Sequence, residues 1–275
     1  MCLLVGKCLR KLKKYLHIYL LFIKTSFMSQ LEYRFNFFIN IFLNLICLFT
    51  RLFYMYLIYK NSRFTNNSNS FYILLLYTGI ACFYSGFYAF FLSDNYCKIS
   101  EYVKRGTLDL LIVKPVSLQF ITTLRYVNIG LSLPDIFLGI IISSIACFKL
   151  NLILSASNIF KLIFINISGM LIMYSIFLFP NILSFWTIEN NFINNFINSV
   201  FELNSLPMKF YKKFLQNIGT FIFPIFLITN FPFMHLLGLL SIKNILIMTL
   251  IAILTFTVTK MFWNYGIKNY SSSNC

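Results

Sequence analysis

Charge is scarce in this chain, and acid is the scarcest part of it. Only 11% of the 275 residues are charged, and seven Asp or Glu stand against 23 Lys or Arg. Histidine occurs twice, as His17 and His235, and neither His-Glu-x-x-His nor Gly-x-Ser-x-Gly is present. A hydrolytic or metal-dependent membrane enzyme, which needs such groups clustered near one interface, is therefore poorly supported. No Gly-x-x-x-x-Gly-Lys-Ser/Thr stretch occurs, so the chain lacks the phosphate loop that binds nucleoside triphosphates. The seven cysteines (Cys2, Cys8, Cys47, Cys82, Cys97, Cys147 and Cys275) show no Cys-x-x-Cys or Cys/His spacing. That argues against a metal site or a disulfide framework. No repeat of 20–50 residues is visible, and the halves match too poorly for an inverted-repeat transporter.

What is abundant is apolar: 59% of residues are hydrophobic, in runs of about 20 that suffice to cross a hydrocarbon core of ~30 Å. The fold class expected is all-α, a polytopic membrane protein of six transmembrane helices with an N-terminal amphipathic interfacial helix. The spans fall at about 37–59, 71–92, 129–148, 160–183, 218–238 and 245–264. This divides the chain into a basic segment 1–36, a permease-like domain 37–265 with a connecting loop at about 93–128, and a short tail 266–275. The net charge of +16 is spread over the interspan segments, unlike the single basic face of a nucleic-acid-binding domain. Lys7, Arg10, Lys11, Lys13, Lys14, Lys24 and Arg34 precede the first span; Lys98, Lys104, Arg105, Lys114 and Arg125 follow the second; Lys209, Lys212 and Lys213 follow the fourth. Intervening loops are poor in charge, which places both termini in the cytoplasm. The basic start runs on to Lys14 with no small-residue cleavage site after it, unlike a cleavable signal.

Several local patterns carry expectations. Residues 7–24 read as an amphipathic helix on the inner leaflet, with Leu9, Leu12, Leu16 and Leu20 at helical spacing behind a basic cluster. Asn40, Asn44, Cys47, Arg51 and Tyr54 share one face of the first span within about 80°. That stripe either lines a pathway or interface, or packs while Arg51 snorkels to the headgroups. Thr78, Cys82, Ser85 and Ala89 form a small-residue stripe suited to close helix packing. Asp135, beside Pro134, reads as a start-of-helix residue more readily than as a proton relay. Pro224 and Pro232 mark an irregular fifth region with a re-entrant or interfacial piece. The Asn-rich stretch Glu189–Asn204 reads as a tolerant connector.

Lys98-Ile-Ser-Glu-Tyr-Val-Lys-Arg-Gly-Thr-Leu-Asp-Leu-Leu-Ile-Val-Lys-Pro-Val116 has chemistry of its own. Residues 100–105 can form a short helix that Gly106 ends in a left-handed conformation. Leu108, Leu110 and Leu111 then give an apolar ridge beside Asp109, and Pro115 after Lys114 stops continuation. On physics alone this is either a surface connector or a knob for a partner's groove. The set Glu101, Arg105, Gly106, Thr107, Leu108, Asp109, Leu111, Lys114 and Pro115 resembles the Gly-x-Leu-Asp-x-Leu-Leu-x-Lys-Pro-Val coupling loop of ABC type-2 exporter permeases. Phe223-Pro224 with Asn230-Phe-Pro232 is similar to that family's proline-marked fifth span, and Phe262-Trp-Asn-Tyr-Gly-Ile-Lys-Asn-Tyr270 to its closing tail. The resemblance implies the membrane-spanning subunit of an ATP-driven exporter in the cytoplasmic (inner) membrane. It implies a second permease subunit, identical or related, and a cytoplasmic ABC ATPase that binds ATP and Mg; this chain itself would carry no cofactor and bind no nucleic acid. The alternative is an ATP-independent secondary transporter or channel, which should carry intramembrane acids; only Asp135 qualifies.

Overall fold

The computed structural model describes residues 2–61, 69–152, 155–187 and 191–270, and among them no strand occurs. The first helix, α1 (Cys2–Glu32), extends well beyond the amphipathic stretch expected, and a one-residue break at Tyr33 separates it from α2 (Arg34–Asn61). Leu12, Leu16, Leu20 and Met28 on α1 are exposed, as a face laid against lipid requires. After α3 (Asn69–Phe91) the helical path continues through Leu92 into α4 (Ser93–Lys104), followed by the short α5 (Leu108–Ile112) and α6 (Leu118–Leu124). Then come α7 (Ile129–Lys149), α8 (Ala156–Ile182), α9 (Asn191–Glu202), α10 (Lys213–Asn217), α11 (Phe226–Leu236) and α12 (Ile242–Lys268). Five of these helical stretches are long and apolar enough to cross a membrane. The stretch through α10 and α11 reaches a sixth only as a pair bent by 104°. The polar turn between α2 and α3 lies largely outside the described residues.

Helices in lipid gain little from burying apolar surface against one another, so close backbone approach and hydrogen bonds carry the packing. The tightest pair is α3 with α7. A Cβ on Gly79 would stand 2.7 Å from the Ser143 nitrogen, and one on Gly139 only 2.6 Å from the Phe83 nitrogen, so both positions must be glycine for the helices to lie this close. These glycines lie beside the small-residue stripe: Thr78, Cys82 and Ser85 turn toward a cavity that they share with Arg51, Tyr54 and Met55 of α2. At the other side α8 packs on α12, and just past the end of α8 Phe185 meets Trp263, 1% exposed, at 5.3 Å between ring centroids.

One further expectation holds and one is corrected. The fifth region is irregular, as its prolines suggest: a π-helical turn at Ile218–Ile222 follows α10, and the chain then turns at Phe223-Pro224, where proline has no N–H to offer a helix. The Asn-rich segment is no mere connector from Asn191 onward, since α9 packs Ile197 and Phe201 against the bundle; Phe201 lies 5.2 Å from Phe177 and 5.7 Å from Tyr88. Glu189 lies outside the described residues.

Irregular backbone among spanning helices must have its polar groups satisfied by protein. The turn after α9 meets that demand. The fully buried Tyr77 hydroxyl lies 2.8 Å from both the Asn204 and the Leu206 carbonyl oxygens. Thr229 donates to the Asn204 side-chain oxygen at 2.9 Å, and the Met208 N–H donates to Asn230 at 2.8 Å.

Candidate functional site

Two places combine the residues singled out in the sequence: the α4–α5 hairpin and a polar cavity beside Arg51. In the hairpin Gly106 has φ +66°, the left-handed conformation that ends α4 and that glycine alone adopts without steric cost. Arg105 and Glu101 pair at 2.6 Å across one helical turn, both well exposed, so the pair fixes local geometry and adds little stability. Thr107 precedes α5 without a side-chain cap, and Asp109 lies half-buried in its first turn. Lys114 and Pro115 are exposed.

The expected apolar ridge splits into two faces. Leu108 and Leu111, three residues apart on a helix, point inward at 0% and 4% exposure. Leu110 and Val113, also three apart, point out at 70% and 84%. Leu108 and Leu111 are therefore anchors in the chain's own core, and the apolar surface left exposed is Leu110, Val113 and the half-exposed Ile112. Sequence spacing showed that these residues cluster; it could not show which side of a five-residue helix the core would take.

The stretch from Pro115 to Gly130 is held by α1, which sequence reasoning did not foresee. Lys14 donates to the Pro115 carbonyl at 3.0 Å, and the Ser117 N–H donates to the Tyr15 hydroxyl at 3.1 Å. The Tyr15 ring stands edge-on to Phe120 at 4.9 Å. Ser26 accepts from the Val127 N–H at 3.2 Å. Gln30 donates to the Val127 carbonyl at 2.6 Å while its oxygen accepts from the N–H groups of Ile129 and Gly130 at 3.1 and 3.2 Å. These are groups at the start of α7 that have no partner inside the helix. From α4 the buried Asn95 clasps the main chain of Tyr126, donating at 2.7 Å and accepting at 2.8 Å, and the Lys98 ammonium sits 3.3 Å above the Tyr126 ring. Burial of Tyr19, on the side of α1 that stacks against Phe91, raises its phenol above its ordinary range.

Around Arg51 the polar stripe of α2 divides. Asn40 is half-buried and Cys47 exposed. Asn44 donates to the Leu131 carbonyl on α7. Arg51 lies 3.7 Å from Asp135 and donates to Ser85 at 3.3 Å, so it reaches inward to a partner and does not snorkel free. Asp135 is accordingly not a start-of-helix cap: Asn128 caps α7, accepting from the Leu131 N–H, while Asp135 lies buried almost two turns in. Arg51 and Tyr54 line an open cavity of about 620 Å³ whose walls come from α2, α3, α4, α9, the turn after it and α11. Its polar walls are Thr78, Ser85, Asn198, Asn204 and Thr229. The Asn residues of α9 escaped notice as site residues because an Asn-rich tract reads as low-complexity drift.

The profile of the ABC-2 family transporter proteins matches residues 45–274, more than four-fifths of the chain. The chain belongs to that family and is a membrane permease of an ABC-type transporter. No curated protein and no solved structure matches it significantly.

Proposed function

We propose that this permease is the membrane-spanning subunit of an ATP-driven exporter of the cytoplasmic membrane. Both termini lie in the cytoplasm, a second permease copy or relative completes the pathway, and a separate ATPase supplies ATP and Mg chemistry by docking on the α4–α5 hairpin. The observation that carries this reading is the hairpin's two-sidedness. An outward apolar tip of Leu110 and Val113 sits on Leu108 and Leu111, which are embedded in the bundle. A push on the tip reaches α3 through the nearly continuous α4. It reaches α7 through the Asn95 clasp on Tyr126 and the bonds from α1. Rigid-body motion of packed helices is a standard route from a local push to an alternating pathway.

The buried Asp135 is the group an ion-coupled transporter would use, but its place beside Arg51 makes it a link between α2 and α7. The reading predicts that the purified chain alone turns over no ATP, having no phosphate loop, and that it recovers a soluble ATPase from its native membrane. ATP turnover by the isolated subunit would contradict it.

A further inference from the structure

The cavity beside Arg51 has an electrostatic character opposite to the rest of the molecule. The chain carries a net +16, yet among the described residues the one cation on the cavity wall, Arg51, is matched by Asp135. Glu202, the last residue of α9, also lines the cavity and is exposed. Among the described residues no ion pair or hydrogen bond engages its side chain. Asp94, which follows the lining residue Ser93, accepts a hydrogen bond from it at 3.3 Å. The unmatched charge of this space is therefore negative.

Its other walls suit an organic body. Tyr54, Met55, Tyr88 and Phe201 present aromatic and thioether surface, and ring faces attract cations, more strongly where water is displaced. A volume of about 620 Å³ falls within the range of pockets that take drug-sized molecules. A second, independent sign comes from Asn204. It is 4% exposed, its oxygen accepts from Thr229, and its Nδ2 has no hydrogen-bond partner although it is buried at the cavity wall. A buried donor left unpaired costs free energy that an acceptor on a ligand would return.

We propose that this cavity binds an amphiphilic organic cation. Its positive nitrogen is held by Glu202 and the Tyr88 and Phe201 rings, and a carbonyl or ether oxygen accepts from Asn204. The inference rests on the transport role proposed above and names a substrate class for it. The apolar cavity of about 740 Å³ between α3, α7, α8 and α11 offers no charged group and makes no such choice.

The test uses the full chain in phosphatidylcholine nanodiscs without ATPase. Rhodamine 6G, a cationic xanthene with an ester carbonyl, serves as the probe, and the anionic xanthene fluorescein as its counterpart. Anisotropy titration, corrected with empty nanodiscs, is expected to show saturable rhodamine 6G binding, at least tenfold weaker for Glu202→Gln, with fluorescein bound at least tenfold more weakly than rhodamine 6G. Cys97 lines the same cavity and is exposed. In the unaltered chain, rhodamine 6G is expected to slow maleimide labelling of Cys97 at least threefold, read by peptide mass spectrometry. The proposal is overturned by absence of saturable binding, by equal affinity for fluorescein, by an unchanged Glu202→Gln affinity, or by unprotected Cys97. ATPase recovery by the unaltered chain is measured separately. Binding lost with recovery intact removes this inference alone, whereas binding retained without recovery removes the ATPase-coupled reading alone.

Discussion

Gln30 touches both sides of the turn that enters α7, taking up the Val127 carbonyl with one end of its carboxamide and two α7 N–H groups with the other. Gln30→Ala leaves those groups unpaired in a half-buried place, at about 1–3 kcal/mol. Asn128 still caps the helix, so the chain folds. Amide exchange at residues 127–131 is expected to quicken about tenfold or more, and unchanged exchange would show that α1 does not hold α7. Arg51 and Asp135 respond differently. Arg51→Leu leaves a buried carboxylate without its partner, and because Arg51 is itself 44% exposed the cost is taken as about 1–3 kcal/mol, below that of a fully buried pair. The double change Arg51→Leu with Asp135→Asn removes the charge as well. Its thermal midpoint in detergent is expected to lie above that of Arg51→Leu; a midpoint at or below it would mean that the pair does not act as a unit.

Elements in this chain were legible in proportion to their regularity. The spans now seen as α2, α3, α7, α8 and α12 announce themselves as apolar runs of sufficient length, and Gly106 announces the end of α4 because few residues tolerate its backbone. The α10–α11 bend was visible as prolines, but its 104° angle depends on how α11 packs. Thr78, Cys82 and Ser85 share a stripe as their spacing says, yet periodicity does not tell which neighbour a stripe meets; the closest backbone approach to α7 falls instead at Gly79 and Gly139. Replacing Gly139 by Val should force these helices apart and destabilise the bundle by at least about 1–3 kcal/mol, since the added Cβ meets backbone that cannot swing aside. Ile140→Val, on an exposed position one residue along, is the control and should leave the thermal midpoint within about 0.5 kcal/mol of the unaltered chain.

For the whole molecule, the membrane architecture and the permease family were readable because composition and charge alternation act over the full length. The working parts were less so. The α1 brace depends on contacts about 100 residues apart in sequence, such as Gln30 with Ile129 and Lys14 with Pro115, which no local pattern signals. The cavity is assembled from four separated segments in the same way. The central claim, that force enters at the outward face of α5, is tested most directly by placing charge on each of its two faces and recovering the ATPase with the chain from native membranes. Leu110→Asp with Val113→Asp is expected to leave membrane abundance and thermal midpoint unchanged while ATPase recovery falls at least tenfold, because charge enters a contact that docking would desolvate. Leu108→Asp with Leu111→Asp is expected to lower abundance itself, by burying charge in the bundle. Full ATPase recovery with the Leu110/Val113 variant at normal abundance would contradict the account.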